Sequence, residues 1–217
     1  MSKLIVKDLA GPSSSSNKIY IASGSELDLA NSTGTVNLAV DAGDIASGTL
    51  ANARLGAGHI LQVVSTTKAD TASFSSSTTN TFVDLSGLSV SITPTSSSSK
   101  ILVMFTVNVT RSNSGLNHIR LMRGTTAIAI ADAAGNRLQD TVQSWHTGDV
   151  PYNLALWDHT MNFLDSPSTT SATTYKLQGT LGSTYSGTYF INRSADDADQ
   201  DYGPRTVSTI TVMEIKA

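Results

Sequence analysis

The chain has no cysteine among its 217 residues. That excludes a disulfide framework and a thiolate metal site, and leaves packing and subunit association as the sources of stability. Charge is scarce too: 14% of residues are charged and the net charge is −3. No basic field exists to hold a phosphate backbone, so nucleic acid is not an expected partner. No window approaches the roughly 18 consecutive apolar residues of a membrane span. Met1–Asp8 also lacks the apolar stretch of a signal peptide, so a soluble product with no membrane insertion and no export signal is expected. GxSxG, HExxH, P-loop and GxGxxG patterns are missing, so no catalytic residue, no cofactor and no enzymatic activity is expected.

What the chain has in quantity is hydroxyl: 59 Ser plus Thr. These side chains compete for backbone hydrogen bonds in helix interiors and suit strands and turns, so the bias points to an all-β protein. The hydrophobic pattern agrees. The longest alternation is Lys100–Thr110, with Ile101, Val103, Phe105, Val107 and Val109 on one face. Further strands are predicted at Ile60–Val64, Leu88–Ile92, Asn117–Arg123, Thr125–Ile130, Tyr152–Leu156, Met161–Leu164, Thr173–Gly179, Gly187–Asn192 and Val207–Ile215. Many short strands with no convincing helix imply a β-sandwich of jelly-roll type over residues 60–217.

Upstream the pattern changes. Residues 1–47 carry only short apolar clusters, such as Leu4-Ile5-Val6 and Ile19-Tyr20-Ile21 around a Gly-Pro-Ser loop, and read as an extended arm or a solvated tail. Residues 48–59 form a narrow linker. In and beside it Ile45, Leu50 and Leu55 fall five apart, a spacing that fits neither helix nor strand. Either each Leu points to an axis shared with other copies, or the segment is irregular with incidental apolar residues.

Two clusters are candidate sites. Trp145, His146, Tyr152 and Trp157, with His159 nearby, occupy one short region that contains both tryptophans of the chain. Aromatic faces beside polar groups suit sugar rings or a protein receptor. In the alternative reading Trp157 and Tyr152 fill the core while His146 and His159 are solvated. The second cluster, Asp196–Gly203, places Asp197, Asp199 and Asp201 at alternate positions like the opening of a calcium loop. The match then fails, because Tyr202 stands where that loop needs Gly and Ser208 where it needs an acidic residue. An exposed acidic hairpin tip is the better reading. A glycan hydrolase would need two carboxylates across a groove, and Asp158 and Asp165 are available only as near neighbours in sequence.

The run Gly48-Thr49-Leu50-Ala51-Asn52-Ala53-Arg54-Leu55-Gly56 resembles a linker that recurs in fibre and appendage proteins of tailed bacteriophages, between a virion-anchoring end and a distal knob. Asp84–Pro94, Ser99–Val103, Leu164–Pro167, Ser171–Lys176, Ile191–Ser194 and Ser208–Ile215 resemble the C-terminal β domains of such proteins. The resemblance implies a virion structural protein, a short tail or head fibre whose knob contacts a glycan or protein of the host surface. The runner-up is a head or collar decoration protein that stabilises the particle without binding a receptor. A glycan hydrolase is a third possibility. Residues 1–47 would then join other virion proteins. Short strands and spaced leucines that one chain cannot cover suggest self-association, and the resemblance selects a homotrimer with Leu50 and Leu55 at its contact.

Overall fold

Strand β4 (Lys100–Arg111) runs through the middle of the protein, and its alternation is the one expected: Ile101, Val103, Phe105, Val107 and Val109 are all buried. The computed structural model describes residues 54–76, 80–146, 154–181 and 187–217, which belong to one unit spanning Leu50–Ala217. The arm, Leu50 and Tyr152 lie outside the described residues.

In chain order the strands are β1 (Ile60–Lys68), β2 (Ala72–Ser76), β3 (Val83–Ile92), β4, β5 (Gly115–Arg123), β6 (Thr126–Ile128), β7 (Val142–His146), β8 (Trp157–Asp165), β9 (Thr173–Thr180), β10 (Gly187–Ile191) and β11 (Ser208–Ile215). They form two antiparallel sheets. Several strands share a lane. On one side of β4, β10 pairs with Val109–Arg111 and β11 with Lys100–Thr106; β2 and β1 continue the next lane in the same way. In the other sheet β7 and β6 follow one another along β5, opposite β9.

Each sheet therefore has four lanes. Numbered along the chain, they run 1-8-3-6 in the first sheet and 2-7-4-5 in the second, the order of a jelly roll. The all-β sandwich expected from composition is the fold observed. β3 packs beside β1 at one margin and β7 beside β8 at the other. The core between the sheets combines the β4 residues with Leu88, Val90, Ile119, Leu121, Tyr175, Leu177, Ile210 and Val212.

Three local expectations change. Leu154–Leu156 is not strand, and β8 begins at Trp157. β2 and β7 had no clear pattern in sequence, being five-residue strands rich in polar residues that depend on their neighbours for definition. Three connections also interrupt lanes instead of turning corners: 69–71 between β1 and β2, 129–141 between β6 and β7, and 192–207 between β10 and β11.

Polar networks also brace the sandwich. Arg123 Nη1 donates to both oxygens of Asp165 at 2.9 and 3.0 Å, and Tyr175 Oη donates to Asp165 Oδ2 at 2.6 Å, tying β8 to the opposite sheet. Burial, with Asp165 beside it, pushes the Tyr175 hydroxyl above its ordinary pKa, so it remains a donor. Glu214, fully buried, accepts from Gln62 Nε2 at 2.6 Å and from Thr95 N and Oγ1 at 2.8 and 2.7 Å. Burial alone would raise its pKa; the hydrogen bonds from Gln62 and Thr95 outweigh that and hold it below the ordinary carboxylate value.

Candidate functional site

The register gives the sandwich two distinct poles. At the proximal pole the chain reaches the first strand, where Gly58 N donates to Lys216 O at 2.7 Å and Lys216 N donates to His59 O at 2.8 Å. Lys216 Nζ also donates to Leu55 O. The β3–β4 and β8–β9 connections lie at this end, since Ile215 pairs with Lys100 and Ile92 with Thr173. The distal pole receives the β2–β3, β4–β5, β7–β8 and β9–β10 connections. Gly187 pairs with Ser76, Tyr189 with Arg111, Gly115 with His146, and Val83 with Gly179.

Both tryptophans stand at the distal pole. Trp145 pairs with Leu116 on the outward phase of its sheet, and Trp157 pairs with the core residue Val109 on the inward phase of its own edge strand. They are 44% and 38% exposed, too much for core residues. The structure thus brings them to one end but onto faces of opposite sense. His146 is the last residue of β7, and Tyr152 lies outside the described residues. His159, which the core-filling alternative placed in solvent, is instead buried, and burial drives its pKa below the ordinary histidine value. Two-residue periodicity explains this: His159 pairs with Val107 on the core phase.

The acidic segment belongs to the 192–207 excursion. Asp197 bridges Arg193 at 3.4 Å and Arg205 at 2.5 Å, so its carboxylate fastens the base of the loop. Asp199 and Asp201 are exposed. Among the described residues no three His, Cys, Asp or Glu side chains are grouped so as to hold a metal ion. The possible hydrolase pair is separated as well. Asp158 is exposed and Asp165 buried, seven positions apart on β8, or about 23 Å at strand rise, far beyond the carboxylate spacing of glycosidases. Asp165 is moreover committed to Arg123 and Tyr175.

One feature of the surface went unread in the sequence. On the outward face of the β4 sheet, Val63, Met213, Leu102 and Leu164 stand in register across all four lanes. The available signal was the unbroken run Ile101-Leu102-Val103-Met104-Phe105, apolar on both phases of a strand that needs only one of them for its core.

No protein-family model matches the chain, and no curated protein matches it. Among solved structures, one of infectious bursal disease virus, Gt strain, aligns with a TM-score of 0.33 and 15% identity, covering 71% of this chain and 37% of that one. The VP2 subviral particle of the same virus aligns with a TM-score of 0.32 and 15% identity over 71% and 39%. The Gx strain gives 0.32 and 16% over 78% and 44%. The chain spans less than half the length of these proteins.

Proposed function

We propose that this chain is a structural protein of a tailed-phage virion, a short fibre in which residues 1–47 attach to the particle, residues 48–59 form a narrow connection, and the sandwich is a knob that contacts the host surface. The observation that carries this reading is the opposition of the two poles. The upstream chain is covalently joined at the proximal pole, while four connections and both exposed tryptophans gather at the other. A module held at one end presents the other to a partner, and rigid strands carrying variable loops are a common way to build a binding surface. The linker resemblance Gly48–Gly56 supports the same assignment. Copies would associate as a homotrimer through Leu50 and Leu55, with no chemistry performed.

Two experiments test this. Fluorescently labelled full-length protein should bind candidate host cells saturably, and gold-labelled antibody against residues 60–217 should mark the free ends of appendages on particles. Gold over the capsid shell without cell binding would favour the decoration protein instead. Release of reducing sugar from host polysaccharide would overturn the non-enzymatic reading.

A further inference from the structure

The outward face of the β4 sheet is divided along its length. Its distal half is covered by hydroxyls that bond across strands, Ser65 to Thr211 at 2.7 Å and Thr106 to Thr160 at 3.3 Å. Its proximal half is apolar. Ile60, Val63 and Leu164 are 54%, 54% and 53% exposed, and Leu102 and Met213 join Val63 to Leu164 in one cross-strand row. A sheet face turned to water is ordinarily polar at alternate positions, as the distal half is. An apolar block confined to one half of a face marks a contact.

We infer that this proximal half-face is a subunit interface, covered in the assembled protein by the corresponding faces of other copies of the same chain gathered about a common axis. Three observations select other copies as the occupants. The half-face lies at the pole where the upstream chain joins the sandwich, so any tethering of copies through the linker brings these faces together at high effective concentration. Among the described residues its outward positions on the four lanes carry no carboxylate, and their one charged group, Lys100, donates to Ser166 Oγ at 2.8 Å. Two such faces can therefore meet without burying an unpaired anion, and the one like charge, Lys100, stands in the last row at the margin of the patch, beside Ile215. Finally, the row crosses every lane, so the patch has the breadth of a sheet and suits another sheet better than a single extended segment. The inference rests on the proposed self-association and adds to it a contact made by the knob itself.

The test uses the full-length chain. Light scattering of the unaltered protein should give a multiple of 22.7 kDa, and Val63→Lys with Leu164→Lys should raise the concentration needed for assembly at least 100-fold while leaving the far-ultraviolet spectrum unchanged and the melting temperature equal to that of the unaltered protein diluted until it dissociates. Thr106→Lys with Thr160→Lys, on the hydroxyl half, should leave assembly intact. Because the chain has no cysteine, Leu164→Cys provides an independent readout: oxidation should link copies covalently. A variant pair that assembles like the unaltered protein, with no cross-linking through position 164, would overturn the interface while leaving the linker-mediated trimer standing. A monomer before any substitution would remove both.

Discussion

Ser208 Oγ donates to Asn192 Oδ1 at 2.5 Å, closing the base of the 192–207 excursion. The same Asn192 donates through Nδ2 to Lys68 O at 2.7 Å and Asp70 O at 2.9 Å, across the break between β1 and β2. One buried amide thus pins two interrupted lanes at the same level. Asn192 adopts φ 62°, a left-handed conformation that asparagine tolerates better than most residues. Ser208 in turn accepts from Asn108 N at 3.0 Å, so the seam is tied to the central strand.

Asn192→Ala should destabilise the fold by about 1–3 kcal/mol, because it strips partners from the buried Lys68 carbonyl and Ser208 hydroxyl and leaves a less tolerant residue at positive φ. Proteolysis should then cut first within 195–203. Chemical denaturation together with limited proteolysis checks both outcomes; unchanged stability would mean the amide is dispensable.

Phe105→Ala removes a side chain that is 2% exposed in the middle of the core and should cost about 3–5 kcal/mol. Gly179→Ala probes the same core from the opposite side. A Cβ there would sit 3.0 Å from Leu85 Cδ2 and 3.4 Å from the Tyr189 ring, so overpacking of about 1–3 kcal/mol is expected. Urea midpoints report each. A neutral Gly179→Ala would show that Leu85 and Tyr189 can move aside.

Strands whose apolar residues alternate over several positions were legible in the sequence, as Lys100–Arg111 and Ser208–Ile215 show. Val142–His146 was not: with Val142 on the inward phase and Trp145 outward, its pattern acquires meaning only once Leu116 and Ile119 lie beside it. Interrupted lanes were hidden for a related reason. Asn192 looks like an ordinary strand end, and nothing local tells that Ser208, sixteen positions later, resumes the same lane. The aromatic cluster was legible as residues but not as geometry, since Trp145 and Trp157 share a pole on opposite phases.

Stability should fall with pH in two separable windows. His159 is neutral in the fold because burial lowers its pKa, so below its ordinary value of 6.5 the unfolded chain takes up the proton first and unfolding gains. Glu214 also has a depressed folded pKa. Its contribution is complete above the ordinary carboxyl value of 4.5 and is lost as pH falls from there through the folded pKa. Denaturant melts between pH 8 and pH 3 should lose the upper slope in His159→Phe and the lower one in Glu214→Gln. If both variants keep the parent profile, other groups set it.

The distal pole gives the last prediction. Trp145 and Trp157 lie on strand ends flanking one connection and are 44% and 38% exposed, so truncation should remove more contact area from a partner than from the core. On the proposed reading of the chain as a fibre, Trp145→Ala should weaken saturable binding to host cells by about 30-fold or more, the range of aromatic hot spots, with little change in melting temperature. Trp157→Ala should weaken binding similarly but also lower stability, because its position pairs with Val109 on the core phase. Substitution at the proximal residue Ile60, by contrast, should leave binding per assembled particle unchanged. Cell-binding isotherms recorded beside thermal melts separate the two effects. Parent-like binding by both tryptophan variants would remove the distal pole as the contact surface.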